Sequence, residues 1–249
     1  MASIEASELL RPGLLHGVSV LIAGDAPAAG AQRARTAAGT PAGATAATQS
    51  PPAQSPPASL GASAHGVCAE LGARVCAVGP IGDSSPGDED AAMAEMVEAA
   101  VAELGGVAVL VVDAAGVFAA RVTGATANAS EGEQDRARAA LRRCLAAAWS
   151  VTRAAVNVAF LPGEQGGRIV YLAPRPLSGA HAGAACAGLE NLARTLSIEW
   201  ARHAITTVVI APGDATSGEE VGALTAYLAS PAGSYFSGCL LDLRVPAAR

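Results

Sequence analysis

The sequence predicts an α/β protein with a doubly wound, mainly parallel β-sheet of about six strands and helices on both faces. Short apolar runs alternate along the chain with longer segments whose apolar residues recur at helical spacing. Hydrophobic residues make up 51% of the 249 positions, which is enough for one sizeable core. Strands that alternate with helices form parallel sheets through right-handed crossovers. We therefore expect residues 1–249 to form a single domain of this class.

The strands are predicted from short apolar runs bounded by turn residues. The first run, at 18–23, is closed by Gly24, which is typical of a buried strand followed by a tight turn. The run at 107–112 is apolar at every position, as expected for a parallel strand covered on both faces. The predicted strands are 18–23, 73–78, 107–112, 168–172, 206–210 and 238–243.

The helices are predicted from apolar residues that recur every three or four positions. In the second of them, Met93, Val97 and Val101 recur among glutamates, which indicates an amphipathic helix. An acidic turn is expected just before it, at 83–90. The predicted helices are 60–72, 91–104, 133–160, 184–202 and 219–229.

A low-complexity segment at about 25–59 separates the first strand from the first helix. It consists mostly of Ala, Pro, Ser, Thr, Gln and Gly, with almost no large apolar side chain. Such a composition does not bury enough apolar surface to offset the entropy lost on ordering. We expect an insertion within the domain that is disordered or loosely packed.

The charge balance and the cysteine spacing exclude several classes of function. The formal net charge is −6, and all 16 basic residues are arginines, so neither a nucleic-acid surface nor lysine chemistry is predicted. The five cysteines show no pair at metal-ligand or redox spacing, so no metal site is predicted. No apolar run is long enough for a signal sequence or a membrane span, which favours a cytoplasmic protein with reduced thiols.

Several blocks along the chain resemble the short-chain dehydrogenase/reductase family, in the family's order. The most specific of them are LGARVCAVG at 71–79, GGRIVYLA at 166–173 and AGLENLARTLSIEWARHAITTVVIAPG at 187–213. The resemblance implies a Rossmann-like fold that binds NAD(P)(H) and transfers a hydride to or from a carbonyl or alcohol carbon. It also implies that the family's third strand is missing here, because little chain separates Pro80 from the helix predicted at 91–104.

The residues that would bind the cofactor are only partly present. Gly24 and Gly61 stand at the first and third glycines of the family's nucleotide turn, and Ser59 replaces the second. The family's Asn-Asn-Ala-Gly element corresponds to residues 113–116, which keeps Gly116 but places Asp113 near the cofactor. Gly24, Gly61, Asp113 and Gly116 are thus a weak remnant of the site, and we expect NAD(P)(H) to bind poorly or not at all.

The family's catalytic set is missing. In the family a Tyr acts as the general acid/base, a Lys lowers its pKa, a Ser orients the substrate and an Asn holds a relay water. These positions are occupied here by Ala182, Cys186, about Pro174 and Cys144, respectively. No other register restores the lysine, because the chain contains none. His181, next to the tyrosine position, is a candidate substitute acid/base, and a loop histidine without a catalytic role is the alternative.

Three functions follow from this pattern. The first is a catalytically inactive family member, acting as a structural or regulatory subunit of a homo-oligomer or beside an active homologue. Its interface would be formed by helices 139–156 and 184–202, as in the family. The second is an active NAD(P)-dependent oxidoreductase with a rearranged site. The third is a binding module that senses a nucleotide or an acyl ligand. Cofactor binding separates the first from the other two.

Overall fold

A computed structural model describes most of the chain outside its low-complexity segment. The described residues are 10–24, 59–79, 86–123, 132–163 and 165–244. Apart from Ser59, the predicted insertion at 25–59 lies outside them.

The fold is a single six-stranded parallel sheet in the order β2-β1-β3-β4-β5-β6. Its central strands are buried on both faces; Leu21 of the first strand, for example, lies between Cys76 and Leu110 in the register. The strands are β1 (Ser19–Ala23), β2 (Arg74–Val78), β3 (Val109–Val112), β4 (Gly167–Leu172), β5 (Ile205–Ala211) and β6 (Cys239–Asp242). All six predicted strands are confirmed. Among the described residues β2 forms the sheet edge, where the family's third strand would pair.

Six main helices connect the strands. They are α1 (Leu60–Glu70), α2 (Pro86–Leu104), α3 (Ala114–Thr123), α4 (Glu133–Ala155), α5 (Ala182–Glu199) and α6 (Gly218–Ala229). A π-helical turn at Val156–Phe160 and a short turn at Leu161–Gly163 prolong α4. By length and composition the stretch Glu133–Gly163 could cross a membrane, but half of its apolar window is buried in the fold, as in a core helix.

Two of these helices differ from the sequence prediction. Helix α2 begins at Pro86, so part of the acidic segment predicted as a turn is helical. Proline at a first helical position and acidic residues in a first turn both favour a helix start, which explains the difference. Helix α3 was not predicted at all, because it is short and buries only Ala114, Val117 and Phe118.

The helices divide between the two faces of the sheet. Strand side chains alternate between an apolar cluster shared with α2, α3, α4 and α5 and a second cluster shared with α1 and α6. Helix α6 thus lies on the face opposite α5, although β4, β5 and β6 follow one another in the same direction across the sheet. The β5–α6–β6 crossover therefore has the opposite hand to the others, which corrects the expectation of right-handed connections throughout.

Close packing of α6 on α1 accounts for this unusual connection. A Cβ added at Gly218 would lie 2.3 Å from Oγ of Ser63, and one added at Gly222 would lie 2.8 Å from Cγ2 of Val67. Glycines at both positions allow the two helix backbones to approach closely. The burial of apolar surface between the two helices offsets the preference of twisted strands for right-handed crossovers.

Candidate functional site

The residues predicted to bind a cofactor converge at the carboxyl ends of β1 and β3. Gly24 follows β1, and Asp113 follows β3 and directly precedes α3. The backbone amide of Asp113 donates to the carbonyl of Ala23 at 2.8 Å, which holds the two strand ends together. In doubly wound sheets ligands bind at the carboxyl ends of the strands. The structure thus brings the predicted remnant residues into one place.

One carboxylate, that of Asp113, caps two helices at the carboxyl end of the sheet. Oδ2 of Asp113 accepts a hydrogen bond from the amide of Gly61 in the first turn of α1, at 2.8 Å. Its Oδ1 accepts from the amide of Gly116 in the first turn of α3, at 2.9 Å. The side chain is almost fully buried, with 1% of the residue exposed. Aspartate is favoured at helix N-termini because its charge opposes the helix dipole and satisfies amides that have no partner within the helix.

Three glycines surround this carboxylate. A Cβ added at Gly61 or Gly116 would lie 2.7 or 2.8 Å from Oδ2 of Asp113. One added at Gly24 would lie 2.7 Å from Cβ of Asp113. These approaches are closer than a real Cβ tolerates, so each glycine is required by the position of Asp113. The glycines that resemble a nucleotide turn therefore serve here to admit a side chain of the protein itself.

Ser59, which stands at the position of the turn's second glycine, caps α1 with its side chain. It is the N-cap of α1, and its Oγ accepts a hydrogen bond from the amide of Ala62 at 3.1 Å. The amide of Ser63 donates to the carbonyl of Ser59 at 3.0 Å. The Ser63 bond is the first one within the helix, so the amides of Gly61 and Ala62 are among those that lack a helical acceptor, and both are bound by side chains of the protein. Amides of this kind are what a helix N-terminus offers to a phosphate.

The residues present do not fit a dinucleotide. The pyrophosphate would meet a buried carboxylate of the same charge and amides that are already engaged. Neither an acid nor an arginine follows β2 at Gly79 to recognise the ribose.

The residues predicted to stand at the family's catalytic positions lie in the apolar core. Cys144 of α4 and Ala182 and Cys186 of α5 all belong to the cluster between these helices and the sheet, and Pro174 is buried after β4. Sγ of Cys144 donates to the carbonyl of Ala114 at 3.5 Å. Burial, with the nearby negative charge of Asp113, raises the pKa of Cys144 to about 12. Burial likewise raises the pKa of Cys186. Neither thiol is an activated nucleophile.

His181, the candidate substitute acid/base, faces outward. It precedes α5 in a left-handed conformation with φ of 71°, and it is exposed. It lines an open depression on the surface with Glu133, Gln134, Arg138 and Ala180. The residues predicted to stand at the catalytic positions lie inside the core instead, so His181 does not share their surroundings.

Tyr171, the tyrosine nearest to His181 in sequence, is also committed to the core. Its hydroxyl lies 2.9 Å from Oγ1 of Thr152, and both residues are fully buried. Burial raises the pKa of Tyr171 well above its ordinary value. The pair joins α4 to β4 and leaves this tyrosine as a structural residue.

The loops after β4 and β5 are joined to each other by hydrogen bonds. Nη1 of Arg175 donates to the carbonyl of Gly213 at 2.5 Å, and the amide of Leu177 donates to Oδ1 of Asp214 at 2.9 Å. Helix α6 begins at Gly218, so only residues 214–217 separate it from Gly213. A connection this short leaves no helix to cover a substrate.

Helices α4 and α5, predicted to form an interface, pack side by side. They approach closely at Gly188, where an added Cβ would lie 2.8 Å from Cδ2 of Leu145. Trp149 is 41% exposed on the outer side of α4, and Leu145 and Leu192 are partly exposed. Leu189 and Leu196 are instead fully buried in the monomer. The two helices therefore present an apolar surface to which only some of their large side chains contribute, because Leu189 and Leu196 belong to the core.

Comparison with known proteins agrees with the fold. The family model described as short chain dehydrogenase matches residues 63–221. No curated protein matches the sequence. Within the described residues, no group of three His, Cys, Asp or Glu side chains is placed to hold a metal ion.

Solved dehydrogenase structures superpose on nearly the whole chain. A short chain dehydrogenase from Mycobacterium smegmatis has a TM-score of 0.64 at 22% identity, covering 100% of this chain and 99% of its own. A citronellol catabolism dehydrogenase from Pseudomonas aeruginosa has a TM-score of 0.61 at 22% identity, covering 95% and 97%. A 2-keto-3-deoxy-D-gluconate dehydrogenase from Streptococcus agalactiae has a TM-score of 0.59 at 18% identity, covering 92% and 93%. Identities this low establish a shared fold and not a shared chemistry.

Proposed function

The chain belongs to the short chain dehydrogenase family, whose model covers more than half of its residues, and on this premise we propose that it is a non-catalytic member. It keeps the fold of an NAD(P)-dependent oxidoreductase without hydride transfer. Its role is that of a structural or regulatory subunit of a cytoplasmic oligomer, formed with further copies of itself or with an active homologue.

The observation that carries this proposal is the burial of the catalytic positions in apolar core. Cys144, Ala182 and Cys186 pack between their helices and the sheet. Ala182 has no ionisable group, and burial raises the pKa of both thiols, which makes them weak acids. Proton transfer by a positioned side chain contributes about 10²- to 10⁴-fold to a rate, and a site without a donor loses that factor. The closed N-terminus of α1 removes the cofactor's phosphate contacts as well.

The surface of α4 and α5 supports a role in assembly. Small exposed residues on α5, Gly183, Ala184 and Ala187, would let a partner helix approach closely. The exposed indole of Trp149 supplies the large apolar contact that interfaces favour. A two-fold related copy would bury the same surface from both sides, and a homologous subunit would do so with pseudo-symmetry.

The proposal is tested by recovering the tagged chain from its native cells and identifying the co-purifying proteins by mass spectrometry. We expect either a family member with the Tyr-x-x-x-Lys pair or untagged copies of the chain itself. In parallel, the purified chain should not oxidise NADPH or NADH with ketones or acyl thioesters. Turnover by the unmodified chain would favour the rearranged enzyme. A monomer that recovers no partner would favour a ligand sensor.

A further inference from the structure

A row of exposed side chains on the outer side of α4 carries positive charge toward one end and an aromatic ring at the other. Arg138, Arg142, Ala146 and Trp149 recur every three or four positions, so they share one face of the helix, and all four are exposed. We call this row the α4 ridge. In the part of the chain that the structure describes, Arg142 has no hydrogen-bond or ion-pair partner, and Trp149 has no ring partner. The ridge thus presents a cation and an indole for contacts outside the chain.

We propose that the partner of the α4 ridge is a second copy of this chain, and that the guanidinium of Arg142 in each copy stacks on the indole of Trp149 in the other. The inference rests on the proposed function, in which α4 belongs to an interface. It goes further in naming the partner, the register of the two helices and the pair of residues that determines specificity.

A two-fold axis that crosses the ridge between residues 145 and 146 aligns two copies of α4 in opposite directions. Arg142 and Trp149 lie equally far from this axis on opposite sides, so each comes opposite the other residue of the second copy. The contact therefore occurs twice in the pair. Cations bind the face of an indole more strongly than that of other aromatic rings, and the planar guanidinium also stacks on it. Ala146, next to the axis, is small and lets the two helices approach closely.

Other registers of the same two helices lose this complementarity. An axis one turn nearer the start of α4, at Arg142, would bring the arginines of the two copies together, and like charges repel. An axis at Trp149 would stack the two rings, but Arg142 would then face the buried Val156 and the neutral Asn157. Electrostatic complementarity thus selects the register between residues 145 and 146, and it makes the ridge complementary to itself.

The ends of the paired ridges are compatible with this register. Arg138 comes opposite Arg153 of the second copy. Each of these arginines has an acid beside it in its own chain: Asp135 lies 3.7 Å from Arg138, and Asp90 forms an ion pair with Arg153. The charge at each end is therefore balanced within one copy, and the attraction at the centre is not opposed.

The experiment measures self-association by sedimentation equilibrium in four variants that all lack the indole. They are Trp149→Arg, Trp149→Glu and each of these combined with Arg142→Glu. In the proposed register the charge at position 149 faces the charge at position 142 of the other copy. Trp149→Glu alone and Arg142→Glu with Trp149→Arg create opposite charges, and the other two variants create like charges. We expect the opposite-charge variants to associate more tightly than the like-charge variants, by about tenfold, and the wild type to associate most tightly.

Controls separate this effect from a general effect of charge. Leu177→Arg and Leu177→Glu change a large apolar residue that is 84% exposed on the loop after β4, and both should associate as the wild type does. Positions 142 and 149 are exposed, so folding of the variants is expected and is checked by circular dichroism.

A cross-link tests the register in a chain that keeps its indole, and it decides the case in which none of the four variants associates. Ala146→Cys places a thiol beside the two-fold axis, and copper phenanthroline should oxidise two copies to a disulfide-linked dimer. Ala102→Cys, at an exposed position of α2, is the matched control and should remain uncoupled. The wild type gives the background from its own thiols, of which four are buried and Cys239 is half-buried.

Two results would overturn the proposal and leave the proposed function standing. One is an Ala146→Cys variant that cross-links no more than Ala102→Cys, or like-charge variants that associate as tightly as the opposite-charge ones, in a wild type that self-associates. The other is a wild-type monomer that co-purifies with an active homologue. A monomer that recovers no partner from native cells would contradict both the proposal and the proposed function.

Discussion

Oδ2 of Asp113 accepts the amide hydrogen of Gly61 across 52 positions of sequence, and this contact joins the start of α1 to the end of β3. The same carboxylate starts α3 through Gly116. A hydrogen bond to a charged group contributes about 1.5–3 kcal/mol to stability. The carboxyl end of the sheet, where the sequence predicts a remnant nucleotide site, is thereby held together as a structural joint.

The first prediction is that Gly61 and Asp113 are energetically coupled. Gly61→Ala should lower the free energy of unfolding by about 1–3 kcal/mol, because the added Cβ would meet Oδ2 at 2.7 Å. In an Asp113→Gly background, which removes both Oδ2 and the Cβ that the added group would meet at 2.9 Å, the same substitution should cost much less. Urea unfolding of the four proteins measures the coupling.

Gly66→Ala is the control for this cycle, since it lies on the same helix with nothing within 4 Å of an added Cβ. It should stabilise the protein by about 0.5–1 kcal/mol in both backgrounds. Equal costs of Gly61→Ala with and without Asp113 would show that the glycine is required for another reason.

The second prediction is that restoring the family's catalytic pair does not restore activity. Ala182→Tyr with Cys186→Lys places a bulky ring and an ammonium group in a packed apolar cluster. We expect a loss of stability through overpacking and desolvation, and no hydride transfer from NADPH in a spectrophotometric assay. Recovery of turnover by these two changes alone would mean that the cofactor site is intact.

The third prediction concerns the buried thiols. The pKa of Cys144 is raised by burial to about 12, so it should react with thiol reagents far more slowly in the native state than after unfolding. An unfolded cysteine has a pKa of about 8.5, so this thiol's contribution to stability is fully present below about pH 8.5. That contribution is lost as the pH rises toward 12.

Urea midpoints measured at pH 7 and pH 10 check this dependence. The decline should be smaller in Cys144→Ala, and smaller again when Cys68, whose pKa is also raised by burial to about 12, is replaced as well. An unchanged decline in both variants would exclude these thiols as its source.

The fourth prediction concerns the outer surface of α4. Trp149→Glu should shift the protein toward monomer in light scattering, or make it insoluble when it is expressed without a partner. Leu177→Glu is a matched control, because Leu177 is a large apolar residue that is 84% exposed on the loop after β4. If both variants keep the wild-type mass, α4 is not the interface.

The sheet could be predicted from sequence because a parallel strand that is buried on both faces consists of an uninterrupted run of apolar residues. The predicted strand at 206–210 differs from the observed Ile205–Ala211 by one residue at each end. Helix α2 was placed by its amphipathic pattern, and only its start was wrong. Local sequence determines these features, so local reasoning finds them.

The features that were missed depend on tertiary contacts. Asp113 was recognised as a carboxylate near the cofactor position, but its role as a double cap requires α1 to arrive from far along the chain. An aspartate before the run Ala114–Thr123 was the available signal for α3. The hand of the last crossover depends on Gly218 and Gly222 meeting α1, which no periodicity encodes.

The most direct test of the central claim is calorimetric titration of the purified chain with NADH and with NADPH. Asp113 and Ser59 engage the amides of the predicted dinucleotide site, and no residue that would recognise the ribose follows β2. We therefore expect no saturable heat with either nucleotide at concentrations that saturate active members of the family. Saturable one-to-one binding of either nucleotide at micromolar concentration would contradict the account.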